Sequence, residues 1–106
     1  MDLALKAIAE PRRRAILRLV RDGELASGEI ARHFDVTGPA ISQHLGVLKE
    51  AGLVEERRDG TRRLYRARPE GITDLQRFLE DFWDDGLDRL RNAAEQAQRA
   101  KDEGHA

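Results

Sequence analysis

A chain of 106 residues, 40% hydrophobic and 37% charged, has room for one modest core and reads as a single helix-rich domain spanning 1–106. It contains no cysteine, which excludes disulfides, thiolate metal sites and thiol redox sensing, and no apolar run near the about 20 residues that cross a bilayer. The net charge of −1 conceals an asymmetry: residues 11–68 hold 13 Lys and Arg against 8 Asp and Glu, whereas residues 69–106 hold 5 against 10.

Met-Asp-Leu-Ala at the start lacks the basic head of a signal peptide, so a cytoplasmic location and no membrane contact are expected. Residues 3–9 form a short apolar helix, interrupted at Glu10-Pro11 because proline opens a new helix. From Pro11 to about Arg21, Ile16, Leu19 and Val20 make an apolar stripe, with arginines on the polar face. A third helix is expected from Ser27 to Phe34. Its capping is poor, because Glu29 would complete a capping box with Ser or Thr at 26 and that residue is Ala.

The next helix is better specified. Thr37 serves as N-cap, Val36 can staple to Ile41, and Gly52 ends it. Ile41, Leu45 and Leu48 share its core face, while Pro39, Ser42, Gln43, Gly46 and Glu50 lie opposite. Leu53–Arg58 and Thr61–Ala67 flank Asp59-Gly60, a strong two-residue hairpin signal. That turn would pair Arg58 with Thr61, Arg57 with Arg62 and Glu56 with Arg63, setting like charges opposite each other at 57 and 62. From Pro69 to about Lys101 apolar residues recur at three- and four-residue steps, with Gly86 as a weak point in one long helix.

Helix, short turn, helix and arginine-tipped hairpin, in that order, make a winged helix-turn-helix, a mainly α fold with a small β-hairpin. Its parts are a helix-turn-helix at 27–51, a wing at 53–67 and a C-terminal dimerisation helix at 69–101. The fold places one helix in the major groove of double-stranded DNA, and the net +5 of residues 11–68 suits that partner. Candidate DNA contacts are Thr37, Gly38, Pro39, Ala40, Ser42 and Gln43: first-turn amides hold phosphate, Ser42 bonds phosphate or base, and Gln43 pairs with an adenine edge. Arg57, Arg58, Arg62 and Arg63 are candidate wing contacts, a solvated and aggregation-resistant edge being the plainer reading. Arg12, Arg13 and Arg14 fit a backbone anchor or a solvated face equally, and His44 fits a half-buried structural role.

A long apolar stripe in so small a chain needs a partner. Leu3, Leu5, Ile8, Ile72, Leu75, Leu79, Phe82, Trp83 and Leu90 are the candidate interface of a homodimer. Asp81, Asp84, Asp85 and Asp88 on one helix face read as a solvated surface rather than a metal site. No nucleophile–base pair, phosphate loop or zinc motif points to an enzyme. Neither a metal nor another cofactor is expected. Two other functions fit the pattern: a winged-helix protein-interaction module, and a regulator answering to an unknown small-molecule effector in a pocket near the dimer interface.

The segments A-I-A-E-P-R-R-R-A-I-L-R-L-V, P-A-I-S-Q-H-L-G-V-L-K-E-A-G-L-V and R-R-D-G-T-R-R-L-Y resemble the ArsR/SmtB family of bacterial winged-helix repressors over residues 3–68. A looser match continues through F-W-D-D-G-L-D-R-L. The resemblance implies a homodimer paired through its first and last helices, bound to an inverted-repeat operator and blocking transcription. It assigns DNA contacts to Thr37, Gly38, Pro39, Ser42, Gln43 and the wing arginines. Metal-sensing members carry a cysteine-bearing segment where this chain has Glu24, Leu25, Ala26, Ser27 and Gly28, and others use a last-helix histidine absent here before His105. The chain therefore looks more like cysteine-free members without a known metal site, the SdpR-type autorepressors.

Overall fold

Glu10 and Pro11 divide the first two helices as their chemistry requires. In the computed structural model, which describes residues 1–104 and so leaves His105 outside, α1 spans Asp2–Ile8 and α2 spans Pro11–Arg21. The Glu10 carboxylate accepts the Arg13 amide at 3.0 Å, and Pro11 occupies a first-turn position where an amide would lack an intrahelical partner. The arginines behind it turn back onto α1. Arg13 donates from Nε to the Ala7 carbonyl (2.7 Å) and from Nη2 to that of Lys6 (2.9 Å), and Arg14 Nη1 donates to Ile8 (2.7 Å). These bonds satisfy carbonyls that a helix end leaves open.

A two-residue strand, β1 (Leu25–Ala26), precedes α3 (Ser27–Ala31). The helix is shorter than the expected Ser27–Phe34. Beyond Ala31 the chain tightens into i→i+3 bonds, His33 to Ile30 and Phe34 to Ala31. Ala26 has no side-chain acceptor, yet half of the capping exchange forms, with the Ala26 amide donating to Glu29 Oε1 at 3.1 Å.

Helix α4 (Gly38–Glu50) begins and ends where its sequence signals lie. Thr37 Oγ1 accepts the Ala40 amide at 3.2 Å. At the other end Gly52 adopts φ +75°, the Gly52 amide donates to Lys49 and the Leu53 amide to Leu48, both at 3.0 Å. That is a Schellman termination, and its accompanying apolar contact pairs two fully buried residues, Leu48 and Leu53.

Strands β2 (Val54–Asp59) and β3 (Arg62–Ala67) form the hairpin, and β1 adds to β3, giving an antiparallel sheet of order β1-β3-β2. No sequence signal announces the third strand. The register is one residue away from the expected one: Asp59 faces Arg62, Arg58 faces Arg63, Arg57 faces Leu64 and Glu56 faces Tyr65. The turn residues are thus Gly60 and Thr61. Gly60 takes φ +64° while no residue other than glycine has positive φ among those described, the sign pattern of a II′ turn with glycine first. The like-charge pair therefore falls at 58 and 63, not at 57 and 62.

Helix α5 (Pro69–Gly104) runs unbroken through Gly86 and three residues past the expected end. Gly71 permits its start to lie close to the α4 terminus, since a Cβ there would sit 1.8 Å from the Gly52 carbonyl oxygen. Ile16, Val20, Ile30, Ile41, Leu45, Leu48, Leu53 and Val54 fill the core. The described residues group into two compact units: Met1–Leu75, which holds this core, and a second unit from Gln76, which is helix alone through Gly104.

Candidate nucleic-acid interface

The amphipathic pattern of α4 decides what it shows to solvent. Ile41, Leu45 and Leu48 go into the core, leaving Thr37, Gly38, Pro39, Ser42 and Gln43 exposed and Ala40 half-buried. Much of the first turn's hydrogen-bonding capacity is already committed. Ala40 gives its amide to Thr37, Pro39 has none, and Ile41 donates to the Thr37 carbonyl at 3.1 Å. Among the described residues the Gly38 amide has no acceptor outside the helix, so it and the hydroxyl protons of Thr37 and Ser42 are the donors this end can offer an anion. Gln43 lies one turn further on, exposed. His44 is half-buried, with Nδ1 3.4 Å from Arg13 Nη1, and so joins α4 to α2.

The wing carries five exposed arginines, the four candidate contacts and Arg66, in two different situations. Arg57 makes a bidentate bond to Glu24, Nη2 to Oε1 at 2.6 Å and Nε to Oε2 at 3.0 Å. Arg62 Nη2 donates to Glu29 Oε1 at 2.7 Å, the oxygen that also accepts the Ala26 amide. Arg63 lies 3.8 Å from Glu56, whose carboxylate is held by Lys49 of α4 at 3.0 Å. Arg58 has no ion pair among the described residues. Arg66 pairs with Glu55 across the strands. The hydrogen bond from Arg57 holds the Glu24 carboxyl below the ordinary glutamate range, with Arg66 adding attraction, and in turn raises the Arg57 guanidinium. The bond from Lys49 does the same for Glu56, helped by Arg63 and Arg58.

The candidate dimer residues divide as well. Leu5, Ile8 and Ile72 pack against the core of the first unit, and Leu75 is only 7% exposed within it, so these four are engaged by their own chain. Leu3, Leu79, Phe82, Trp83 and Leu90 are exposed, Trp83 by 62% and Leu90 by 68%. Phe78 and Leu87 extend the exposed set on α5, and Phe78 stacks on Phe82 at 6.4 Å between ring centroids.

The sequence profile of the bacterial regulatory protein arsR family matches residues 10–56. An HTH-type transcriptional regulator of Mycobacterium tuberculosis is 49% identical over 82 residues, which cover 77% of each chain. The chain belongs to the ArsR family. The transcriptional repressor SdpR of Bacillus subtilis is 35% identical over 81% of this chain and 96% of its own. The solution structure of a homodimeric winged helix-turn-helix DNA-binding domain from Mycobacterium bovis superimposes with a TM-score of 0.64 at 37% identity, covering 81% of this chain and 80% of that one.

This ArsR-family fold is therefore the winged helix-turn-helix of DNA-binding transcription regulators, a family of regulators and not of enzymes. No helix is long and apolar enough to cross a membrane, and among the described residues no group of three or more His, Cys, Asp or Glu could hold a metal ion. Of the positions matching the family's thiolate segment, Glu24 is engaged by Arg57. Glu24, Glu29 and Lys49 bond to wing residues, pairings that sequence reasoning missed. Their partners lie 33, 33 and 7 positions away, beyond any local pattern.

Proposed function

We propose that this ArsR-family protein is a homodimeric repressor that binds an inverted-repeat operator in the cytoplasm and occludes a promoter, without sensing a metal. The observation that carries this reading is the start of α4, where the cap at Thr37 and the buried Ile41–Leu45–Leu48 stripe leave Gly38, Pro39, Ser42 and Gln43 together on one exposed, uncrowded face. Small residues there let the backbone approach a groove, and Gln43 has the paired donor and acceptor that match an adenine edge. The wing adds positive charge on the same unit, joined to α4 through the Lys49–Glu56 pair.

Dimerisation rests on the second unit. A helix with Leu79, Phe82, Trp83, Leu87 and Leu90 exposed has no core of its own, and a symmetric second copy is the economical way to cover such a stripe. The homodimeric state of the Mycobacterium bovis relative supports it. Leu3 on α1 is a second exposed apolar position. Fluorescence anisotropy with the duplex upstream of the gene, titrated at several salt concentrations, tests the reading. Affinity is expected to fall linearly on a log–log plot, with a slope of about −0.9 per phosphate neutralised. A response indifferent to salt, or no binding, would overturn it.

A further inference from the structure

The four candidate wing arginines fall on opposite faces of the hairpin, Arg66 joining the face of Arg57 and Arg62, and the register determines which goes where. Residues directly across from each other share a face, so Arg58 and Arg63 lie with Glu56 and Tyr65, while Arg57 lies with Leu64, and Arg62 with Asp59. The first of these faces meets α4: Tyr65 is buried in the core, and Glu56 is bonded to Lys49 near the end of the helix. Further toward the turn the same face presents Arg58, without an ion pair among the described residues, directly opposite Arg63, whose nearest carboxylate is 3.8 Å away and already bonded to Lys49.

The second face is chemically the reverse, because its guanidiniums are occupied. Arg57 reaches the carboxylate of Glu24, just before β1, through two hydrogen bonds. Arg62 reaches Glu29, whose same oxygen caps the start of α3. Both bonds tie the wing to the segment that leads into the helix-turn-helix. A guanidinium held bidentate by a carboxylate must give up that geometry before it can clamp a phosphate, whereas two facing guanidiniums with no carboxylate hydrogen-bonded to either keep their donors open to an anion and repel each other until one binds between them.

We propose that Arg58 and Arg63 are the wing's phosphate contacts, and that Arg57 and Arg62 are positioning residues that hold the wing against the segment before β1 and the start of α3. The proposal rests on the DNA-binding reading above and divides labour that the sequence assigns to all four arginines alike.

The test uses the full-length protein and a short mixed-sequence B-form DNA duplex, because wing-to-phosphate bonding does not depend on sequence. Arg58→Ala and Arg63→Ala are each expected to flatten the log–log salt dependence by about 1 for every phosphate no longer neutralised, hence by about 2 in a dimer with two wings. Arg57→Ala and Arg62→Ala are expected to keep the wild-type slope. A charge exchange supplies the second readout: Arg57→Glu alone weakens binding at least tenfold, and Arg57→Glu with Glu24→Arg restores it to within about threefold, since the ion pair reforms with its ends reversed. Wild-type binding that depends on salt, combined with slopes for Arg57→Ala and Arg62→Ala as shallow as that for Arg58→Ala, overturns the assignment. So does an exchanged pair that binds as poorly as Arg57→Glu alone. A wild-type protein that does not bind the duplex at all would instead overturn the DNA-binding reading.

Discussion

In the proposed DNA interface Gln43 has the narrowest task of any residue. It is exposed in the second turn of α4 beyond the Thr37 cap, and its amide can make two hydrogen bonds to one base edge. Gln43→Ala is expected to cost about 1–3 kcal/mol of binding to the operator while leaving affinity for unrelated duplexes nearly unchanged, as binding-site selection with the variant would show. The carboxylates make a different prediction. Glu24 and Glu56 titrate below the ordinary glutamate value of 4.5 because Arg57 and Lys49, respectively, hydrogen-bond their charged forms. A group whose folded pKa is depressed stabilises the fold fully above its unfolded value, and that contribution disappears as pH falls through the folded one. Thermal midpoints should therefore decline below about pH 4.5, and Glu24→Gln with Glu56→Gln should flatten that decline.

Among the elements, α4 is the one whose ends were written in the chain, with Thr37 as N-cap and Gly52 beyond the last turn. Gly52→Ala would force a Cβ into the left-handed region at φ +75°, at a cost of about 1–2 kcal/mol that chemical denaturation would measure. The long helix, the proline-led α2 and the existence of the hairpin were legible for the same reason: periodicity and turn chemistry are local. The hairpin register was not. Asp59-Gly60 reads as the two-residue loop, but glycine is equally at home as the first residue of a II′ turn, with Thr61 second. Alternation, which normally pins register, has no vote here because the consecutive Leu64 and Tyr65 are both buried. Strand β1 is two residues long and carries no period at all. The site shows the same division: the exposed face of α4 follows from helical spacing, whereas the pairing of Arg57 with Glu24 and Arg62 with Glu29 depends on a sheet order that only the folded chain reveals. Leu75 is a similar case, an apolar position in a stripe that turns out to belong to the core of its own unit.

For the whole molecule, the asymmetry of charge acquires a physical meaning: the basic stretch 11–68 lies in the unit that carries α4 and the wing, and the acidic helix carries the exposed apolar stripe that we propose a second copy covers. Leu79 lies in that stripe, 40% exposed. Leu79→Asp would place a charge where the partner is expected, so sedimentation should find folded monomers and operator binding should be lost. A folded monomer that still bound with full affinity would contradict the dimeric mechanism. Whether two copies present α4 and the wing to one duplex is decided by hydroxyl-radical footprinting of the upstream DNA. Two protected windows are expected on one face of the duplex, centred about 34 Å apart and related by the operator's inverted repeat. A single protected window, or uniform cleavage at saturating protein, would refute the paired arrangement.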